Sequence, residues 1–184
     1  PWSGVHQKVA PLVAETGTGF ADMHVAFACA GAGDEAGLAR LLAGWRKLAA
    51  GGHPIAGSLV LPLLQGIAAF GRGAYAETAQ LLEPIMDQVV RIGGSHAQRE
   101  VVADTLIEAC LRAGRYEQAE ALLRERLQRR SSARDFFWLG RAQSGQGYAG
   151  GANAAFREAR TRWADADASA TEVSVLRQAT VGVQ

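Results

Sequence analysis

The stretch VVADTLIEACLRAGRYEQAEALLRERL, residues 101–127, decides the fold of this chain. Apolar residues recur at helical spacing as far as Leu111, and Gly114 then interrupts the pattern. A second amphipathic segment begins at Tyr116. We therefore predict two antiparallel helices joined by a tight turn.

Similar glycine breaks occur at Gly33, Gly73, Gly114 and Gly147, at spacings of 40, 41 and 33 residues. This spacing is typical of helical repeat proteins, and strand patterns are nearly absent. We predict a single all-α domain over residues 1–184, built as a right-handed solenoid of antiparallel helix pairs. The predicted pairs cover residues 20–50, 59–92, 96–130 and 133–163. A partial helix near 5–15 precedes them, and a terminal helix near 171–179, or a tail, occupies 165–184.

Two prolines affect the predicted helices of the second pair, residues 59–92. Pro62 fits the first turn of a helix, because a backbone N–H at that position would have no hydrogen-bond acceptor within the helix. Pro84 lies inside an otherwise helical run and is expected to kink it.

The repeats resemble the tetratricopeptide repeat, a 34-residue helix-turn-helix with small residues where its two helices cross. The fourth pair carries the resemblance best, through Phe136, Leu139, Gly140, Ala152, Phe156 and Ala159. In the third pair, Ile107 and Arg126 stand where small residues are expected. The resemblance implies an α-solenoid whose first helices line a concave groove.

A closer resemblance covers roughly residues 12–160 and is strongest at residues 59–127, with RIGGSHAQRE at 91–100 as its most specific element. This part is similar to the C-terminal half of the tetratricopeptide repeat protein 38 family. Members of that family are longer, and this chain starts at Pro1 without an initiator Met, so we expect it to be a fragment. The resemblance implies a fold and no enzymatic activity.

Composition excludes several classes of protein. Apolar residues make up 48% of the chain, charged residues make up 20%, and the formal net charge is +1, which argues against intrinsic disorder and against a strongly cationic nucleic-acid binder. No apolar run is long enough to span a membrane, and no signal peptide is recognisable. We therefore expect a cytoplasmic protein without membrane partners. Cys29 and Cys110 lack metal-ligand spacing and are predicted to be reduced core residues.

The segment GGSHAQR, residues 93–99, has two interpretations. In the first, the glycines end one helix and Ser95 and Gln98 form a capping box that opens the next, with Arg99 in a surface ion pair. In the second, Ser95, His96 and Arg99 surround a helix N-terminus and bind an anion or carboxylate.

Other signals of chemistry are weak. The histidines show no paired metal-ligand spacing, no nucleophile motif is present, and the short Gly clusters do not follow a strand, so we expect no metal, no cofactor and no catalysis. The Arg-rich run 124–134 is interpreted as a solvated helix face in preference to a nucleic-acid patch.

We predict a non-catalytic protein-interaction scaffold that binds a peptide or partner helix in the concave groove. The groove is expected to be apolar in its first half and charged in its second, and to be lined by Phe20, Met23, Phe27, Leu63, Ile67, Phe70, Asp104, Glu108, Leu111, Arg112, Phe137 and Arg141.

Three alternatives remain at this point. The apolar part of the groove packs against helices that the fragment lacks, or against a second copy of the chain. Alternatively, the chain is an auxiliary domain of a longer enzyme or small-molecule-binding protein, with a polar pocket near His96 and Arg99.

Overall fold

The computed structural model describes residues 2–167 and 171–178, and every regular element in those ranges is helical. This confirms the all-α prediction. The α-helices are α1 (Trp2–Val9), α2 (Gly19–Ala32), α3 (Glu35–Ala50), α4 (Leu61–Gly71), α5 (Tyr75–Leu82), α6 (His96–Arg112), α7 (Tyr116–Arg129), α8 (Ala133–Gly145), α9 (Ala149–Arg162) and α10 (Thr171–Gln178). Two 3₁₀ helices, Ala10–Ala14 and Glu83–Ile92, and a π-helical turn, Ala56–Val60, complete the description.

The four predicted glycine breaks form nearly identical turns. Gly33, Gly73, Gly114 and Gly147 all have a left-handed backbone, with φ between 73° and 79°. In each turn the N–H of the following residue donates to the carbonyl five positions before it, over 2.8–2.9 Å. This is a Schellman-type ending, which satisfies carbonyls at the end of the first helix and which glycine adopts without steric cost. The same local unit therefore connects α2 to α3, α4 to α5, α6 to α7 and α8 to α9.

The chain forms two compact units, one ending at Ala109 and the other beginning at Cys110, so their boundary falls inside α6. In the first unit, α2 packs against α1, α3 and α4, and α4 also packs against α5. The largest fully buried side chains of this unit are Met23, Leu41, Trp45, Leu59, Leu63, Leu64, Ile67, Leu82, Leu106 and Ile107.

A buried polar contact adds to the core of the first unit. Asp22 in the first turn of α2 is 2% exposed. Its Oδ2 accepts hydrogen bonds from Trp45 Nε1 of α3, over 2.8 Å, and from the Gly17 amide, over 2.9 Å. These two bonds satisfy a carboxylate that would otherwise be costly to bury, and they link α2 to α3.

In the second unit, α8 packs against both α7 and α9. A Cβ at Gly140 would lie 2.4 Å from the ring of Phe156, so the close approach predicted for α8 and α9 is confirmed. The Phe137 ring lies 5.9 Å from Phe156 and 5.9 Å from Trp163, centroid to centroid. Aromatic side chains thus fill the space that small residues open between the two helices.

The prediction for Pro62 agrees with the structure, whereas at Pro84 the helix changes type where a kink was expected. Pro62 occupies the first turn of α4. At Pro84 the α-helical pattern of α5 ends, and the ten-residue 3₁₀ helix Glu83–Ile92 begins. A 3₁₀ run of this length is uncommon, and Pro84 cannot donate the bond that would continue the α-helix.

The two ends of the described chain are also helical. The partial helix predicted near 5–15 is α1 followed by the 3₁₀ helix Ala10–Ala14. The predicted terminal helix is α10, while Ala179 and the rest of the predicted tail at 168–170 and 179–184 lie outside the described residues. No helix in the described part of the chain combines the length and the apolar character needed to cross a membrane.

Candidate functional site

Five apolar residues of the predicted groove belong to the core. Met23, Leu63, Ile67, Leu111 and Phe137 are buried, with 0–5% of their surface exposed. The expectation that these five side chains are open to a partner is therefore corrected. They pack inward because the helix faces that carry them contact neighbouring helices, which the pattern of one helix alone does not reveal.

The other predicted groove residues retain some exposure. Phe27 and Phe70 are half-buried, and the Phe70 ring packs edge-on against Tyr75 with centroids 5.4 Å apart. The half-buried Phe20 packs over the loop before α6, because a Cβ at Gly94 would lie 2.2 Å from its ring. The polar members are partly or fully exposed, namely Asp104, Glu108, Arg112 and Arg141.

The GGSHAQR segment forms the predicted capping box. The Ser95 amide donates to Gln98 Oε1 over 2.8 Å, and the Gln98 amide donates to Ser95 Oγ over 3.3 Å. Gly93 and Gly94 have positive φ, as a helix-ending turn requires. The first interpretation of this segment therefore describes its backbone and its Ser95–Gln98 pair.

Arg99 has a different role from the one expected. Its guanidinium donates to the Gly93 carbonyl over 3.0 Å and also to the Gly94 carbonyl. The predicted surface ion pair is therefore replaced by bonds to the backbone. Both bonds come from one nitrogen, Nη1, and tie Arg99 to the turn, while the anion site with Ser95 and His96 stays a prediction.

The Arg-rich run 124–134 is largely paired with acidic side chains. Arg124 and Arg129 form ion pairs one helical turn apart with Glu120 and Glu125, at 2.6 and 3.1 Å. Arg124 and Arg129 agree with a solvated helix face, whereas Arg126 of the same run is largely buried against Asp135. Paired guanidinium groups offer less positive charge to a phosphate backbone.

A cavity of about 310 Å³ opens beside the α2–α3 turn. Its lining is mainly apolar, with Glu35 and Arg72 as its charged members. Small or aliphatic side chains of α2, α3 and α4 form the rest, including Ala30, Leu38, Ala39, Leu42 and Ala68. This volume lies at the lower end of the range of ligand-binding pockets, and suits one aliphatic or aromatic side chain better than a large cofactor.

A second feature of the same turn joins side chains far apart in sequence. His6 Nε2 of α1 donates to Asp34 Oδ2 over 2.8 Å, and the Cys29 thiol of α2 lies 3.9 Å from the same oxygen. All three donor atoms lie within 4.8 Å of one another. Among the described residues, this is a group whose donor set could hold a metal ion. Its members are 5 to 28 positions apart, so no spacing motif marks it, and the sequence analysis did not find it.

Two glycines make room for this cluster. A Cβ at Gly37 would lie 2.3 Å from Asp34 Oδ2 and 3.1 Å from Cys29 Sγ. A Cβ at Gly31 would lie 2.4 Å from the Trp2 ring, which packs against α2 and so helps to place α1. A larger residue at either position would displace one of the elements that form the cluster.

Electrostatics set the protonation of two cluster members. The Gly37 amide, which donates to Asp34 Oδ1 over 2.8 Å, and the His6 imidazole lower the pKa of the Asp34 carboxyl. Burial raises the pKa of the Cys29 thiol, and the charge of Asp34 raises it further. Cys29 is therefore a protonated, weakly nucleophilic thiol, and the predicted reduced core cysteine is confirmed.

No protein-family model matches the chain, and no solved structure matches it significantly. The tetratricopeptide resemblance of the repeats thus stays a prediction, now accompanied by four connections between consecutive helices that share nearly the same turn.

Proposed function

We propose that the protein is a non-catalytic protein-interaction scaffold of the tetratricopeptide type, and that the cavity beside the α2–α3 turn receives one apolar side chain of a bound peptide. The observation that carries this proposal is the cavity itself, with an apolar lining and charged residues at Glu35 and Arg72. Such a pocket gives affinity through the apolar anchor and register through the charges.

The repeated helix pairs support the same proposal. Four consecutive helix connections share nearly the same glycine turn, and repeat proteins use recurring helix pairs of this kind to build extended binding surfaces. Within each unit, the partly exposed residues of the predicted groove are further candidate contacts: Phe20, Phe27, Phe70, Asp104 and Glu108 in the first, Arg112 and Arg141 in the second. The buried residues Met23, Leu63, Ile67, Leu111 and Phe137 are not included in the binding surface.

The test compares two tryptophan substitutions one turn apart on α3. Peptides selected from a displayed random library on the full chain provide the ligand. Ala39→Trp places an indole in the cavity, whereas Ala43, also exposed on α3, lies outside its lining and supplies the control, Ala43→Trp. We expect Ala39→Trp to weaken peptide binding about tenfold or more and Ala43→Trp to leave it unchanged, because filling the pocket removes the anchor site.

Two outcomes would overturn the proposal. The library yields no peptide that binds the full chain, or the selected peptides bind the Ala39→Trp and Ala43→Trp variants equally well. Circular dichroism of both variants establishes that the helices are retained, so a loss of binding cannot be attributed to unfolding.

A further inference from the structure

We propose that His6, Cys29 and Asp34 form a site for a divalent transition-metal ion of the zinc type, with water as the fourth ligand. Their side chains supply an imidazole nitrogen, a sulfur and a carboxylate oxygen, which are the donors that Zn²⁺ uses in proteins. All three donor atoms lie within 4.8 Å of one another. The inference is independent of the proposed peptide binding, because it uses none of the residues that line the cavity.

The distances reach those of a tetrahedral ion after side-chain movements of about an ångström. Zn²⁺ bonds of about 2.0–2.3 Å hold neighbouring ligand atoms about 3.3–3.7 Å apart. The observed separations are 2.8 Å between His6 Nε2 and Asp34 Oδ2, and 3.9 Å between Cys29 Sγ and the same oxygen. One of these pairs must open and the other close by about half an ångström, and the His6 Nε2–Cys29 Sγ separation, which is at most 4.8 Å, must close by up to about 1.2 Å.

The surroundings support a built site. The backbone amide of Gly37 holds Asp34 Oδ1 at 2.8 Å, which orients the carboxylate in the way that outer hydrogen bonds orient metal ligands. The missing side chain of Gly37 leaves free the space next to both Asp34 Oδ2 and Cys29 Sγ. Cys29 is buried, whereas the side chains of His6 and Asp34 are each 23% exposed. An ion at this position is thus supported from inside and reachable by a water ligand from outside.

Binding requires two proton movements and no redox change. Cys29 releases its thiol proton to solvent, and the sulfur lone pair forms the metal bond. The proton that His6 Nε2 donates to Asp34 moves by way of solvent to Nδ1, so that the neutral imidazole binds the ion through Nε2, and the hydrogen bond to Asp34 is replaced by two bonds to the metal. The ion would then join α1 to the α2–α3 turn, in place of one hydrogen bond and one weak thiol contact.

The test uses Co²⁺ and Zn²⁺ as probes on the full chain after removal of metal with a chelator. We expect Co²⁺ to produce a thiolate-to-cobalt charge-transfer band and tetrahedral d–d bands, saturating at about one ion per chain and disappearing when Zn²⁺ is added. Absence of the thiolate band in the wild-type chain would overturn the inference, whatever the variants do.

Matched variants locate the ion. His6→Ala and Asp34→Asn should each weaken Zn²⁺ binding by about tenfold or more, and Asp34→Asn retains a side chain that can cap α3. Cys29→Ser should remove the charge-transfer band. Cys110→Ser and His24→Ala are controls that should change neither the band nor the affinity. Unchanged affinity in both His6→Ala and Asp34→Asn would mean that the ion sits elsewhere, and would refute the site even if Cys29→Ser fails to fold.

Discussion

Arg126 of α7 forms a buried ion pair with Asp135 in the first turn of α8. The Asp135 carboxylate accepts from Arg126 Nε over 3.4 Å and also from a terminal guanidinium nitrogen. The two side chains are 12% and 1% exposed. The tetratricopeptide pattern expects a small residue at position 126, and this chain departs from it. The α7–α8 contact accommodates the larger Arg126 side chain by pairing it with Asp135.

Removing the arginine should strongly destabilise the second unit. Arg126→Ala leaves the Asp135 carboxylate buried without its cation, and we expect a loss of about 3–5 kcal/mol in the free energy of unfolding. Urea denaturation followed by circular dichroism measures the loss.

Two controls separate the buried charge from other effects of the change. The double variant Arg126→Met with Asp135→Leu should be more stable than Arg126→Ala, because it leaves no unpaired charge. Arg129→Ala removes one partner of a pair in which both side chains are more than 60% exposed, and should cost less than about 1 kcal/mol. Equal midpoints for Arg126→Ala and the wild type would contradict the prediction.

Gly140 should not tolerate a side chain while Phe156 is present. A Cβ at Gly140 would lie 2.4 Å from the Phe156 ring. We expect Gly140→Ala to cost about 1–3 kcal/mol, measured by thermal or urea unfolding, because the packed α8–α9 contact must open. Gly150→Ala in α9 is the control, since the nearest atom to its Cβ is 3.8 Å away. If the Gly140→Ala and Gly150→Ala chains unfold at the same midpoint, the α8–α9 contact accommodates the added methyl group without loss of stability.

Glu120 should make the stability of the second unit dependent on acid pH. The Gln143 amide, which donates to Glu120 Oε1 over 2.9 Å, lowers the pKa of the carboxyl below its ordinary value of 4.5, and Gln146 and Arg124 lower it further. A lowered pKa means that the ionised carboxylate stabilises the fold above the ordinary value, and that this contribution is lost as the pH falls through the folded-state pKa.

The measurement for Glu120 is the pH dependence of unfolding in two variants. Glu120→Gln should lose about 1–2 kcal/mol at pH 7, and its difference from the wild type should shrink as the pH falls below about 4.5. Glu125→Gln, whose residue is 63% exposed, is the matched control and should show a small difference throughout. A Glu120→Gln deficit that stays constant down to the acid transition would rule out the linkage.

Ser95 should act as a helix cap and not as a ligand. Ser95→Ala removes the acceptor for the Gln98 amide, and we expect a loss of about 0.5–2 kcal/mol in unfolding experiments. Ser95→Asp should retain most of the stability, because Asp is an equally good capping residue. Stabilisation of the wild type, but not of Ser95→Ala, by added phosphate would instead support the anion interpretation.

The sequence predicted local structure well because local structure depends on nearby residues. The turns at Gly33, Gly73, Gly114 and Gly147 follow from glycine's access to a left-handed backbone and from the helical periodicity on either side. The capping box at Ser95 and the end of the α-helical pattern at Pro84 follow from residues at most a few positions away. The predicted close approach at Gly140 also agreed, because Phe156 occupies the expected position in the paired helix.

What the sequence could not supply is which helix faces turn inward and which distant side chains meet. Met23, Leu63 and Phe137 lie on apolar faces that are equally compatible with an open groove or a core, and only packing against neighbouring helices buries them. His6 lies 28 positions from Asp34, so their hydrogen bond depends on the docking of α1. By itself the amino-acid sequence determined the helices, their turns and their caps, since these depend on the few residues around each backbone bond. The tertiary structure alone decided the cavity and the His6–Cys29–Asp34 cluster, because both require side chains from separate helices to be brought together.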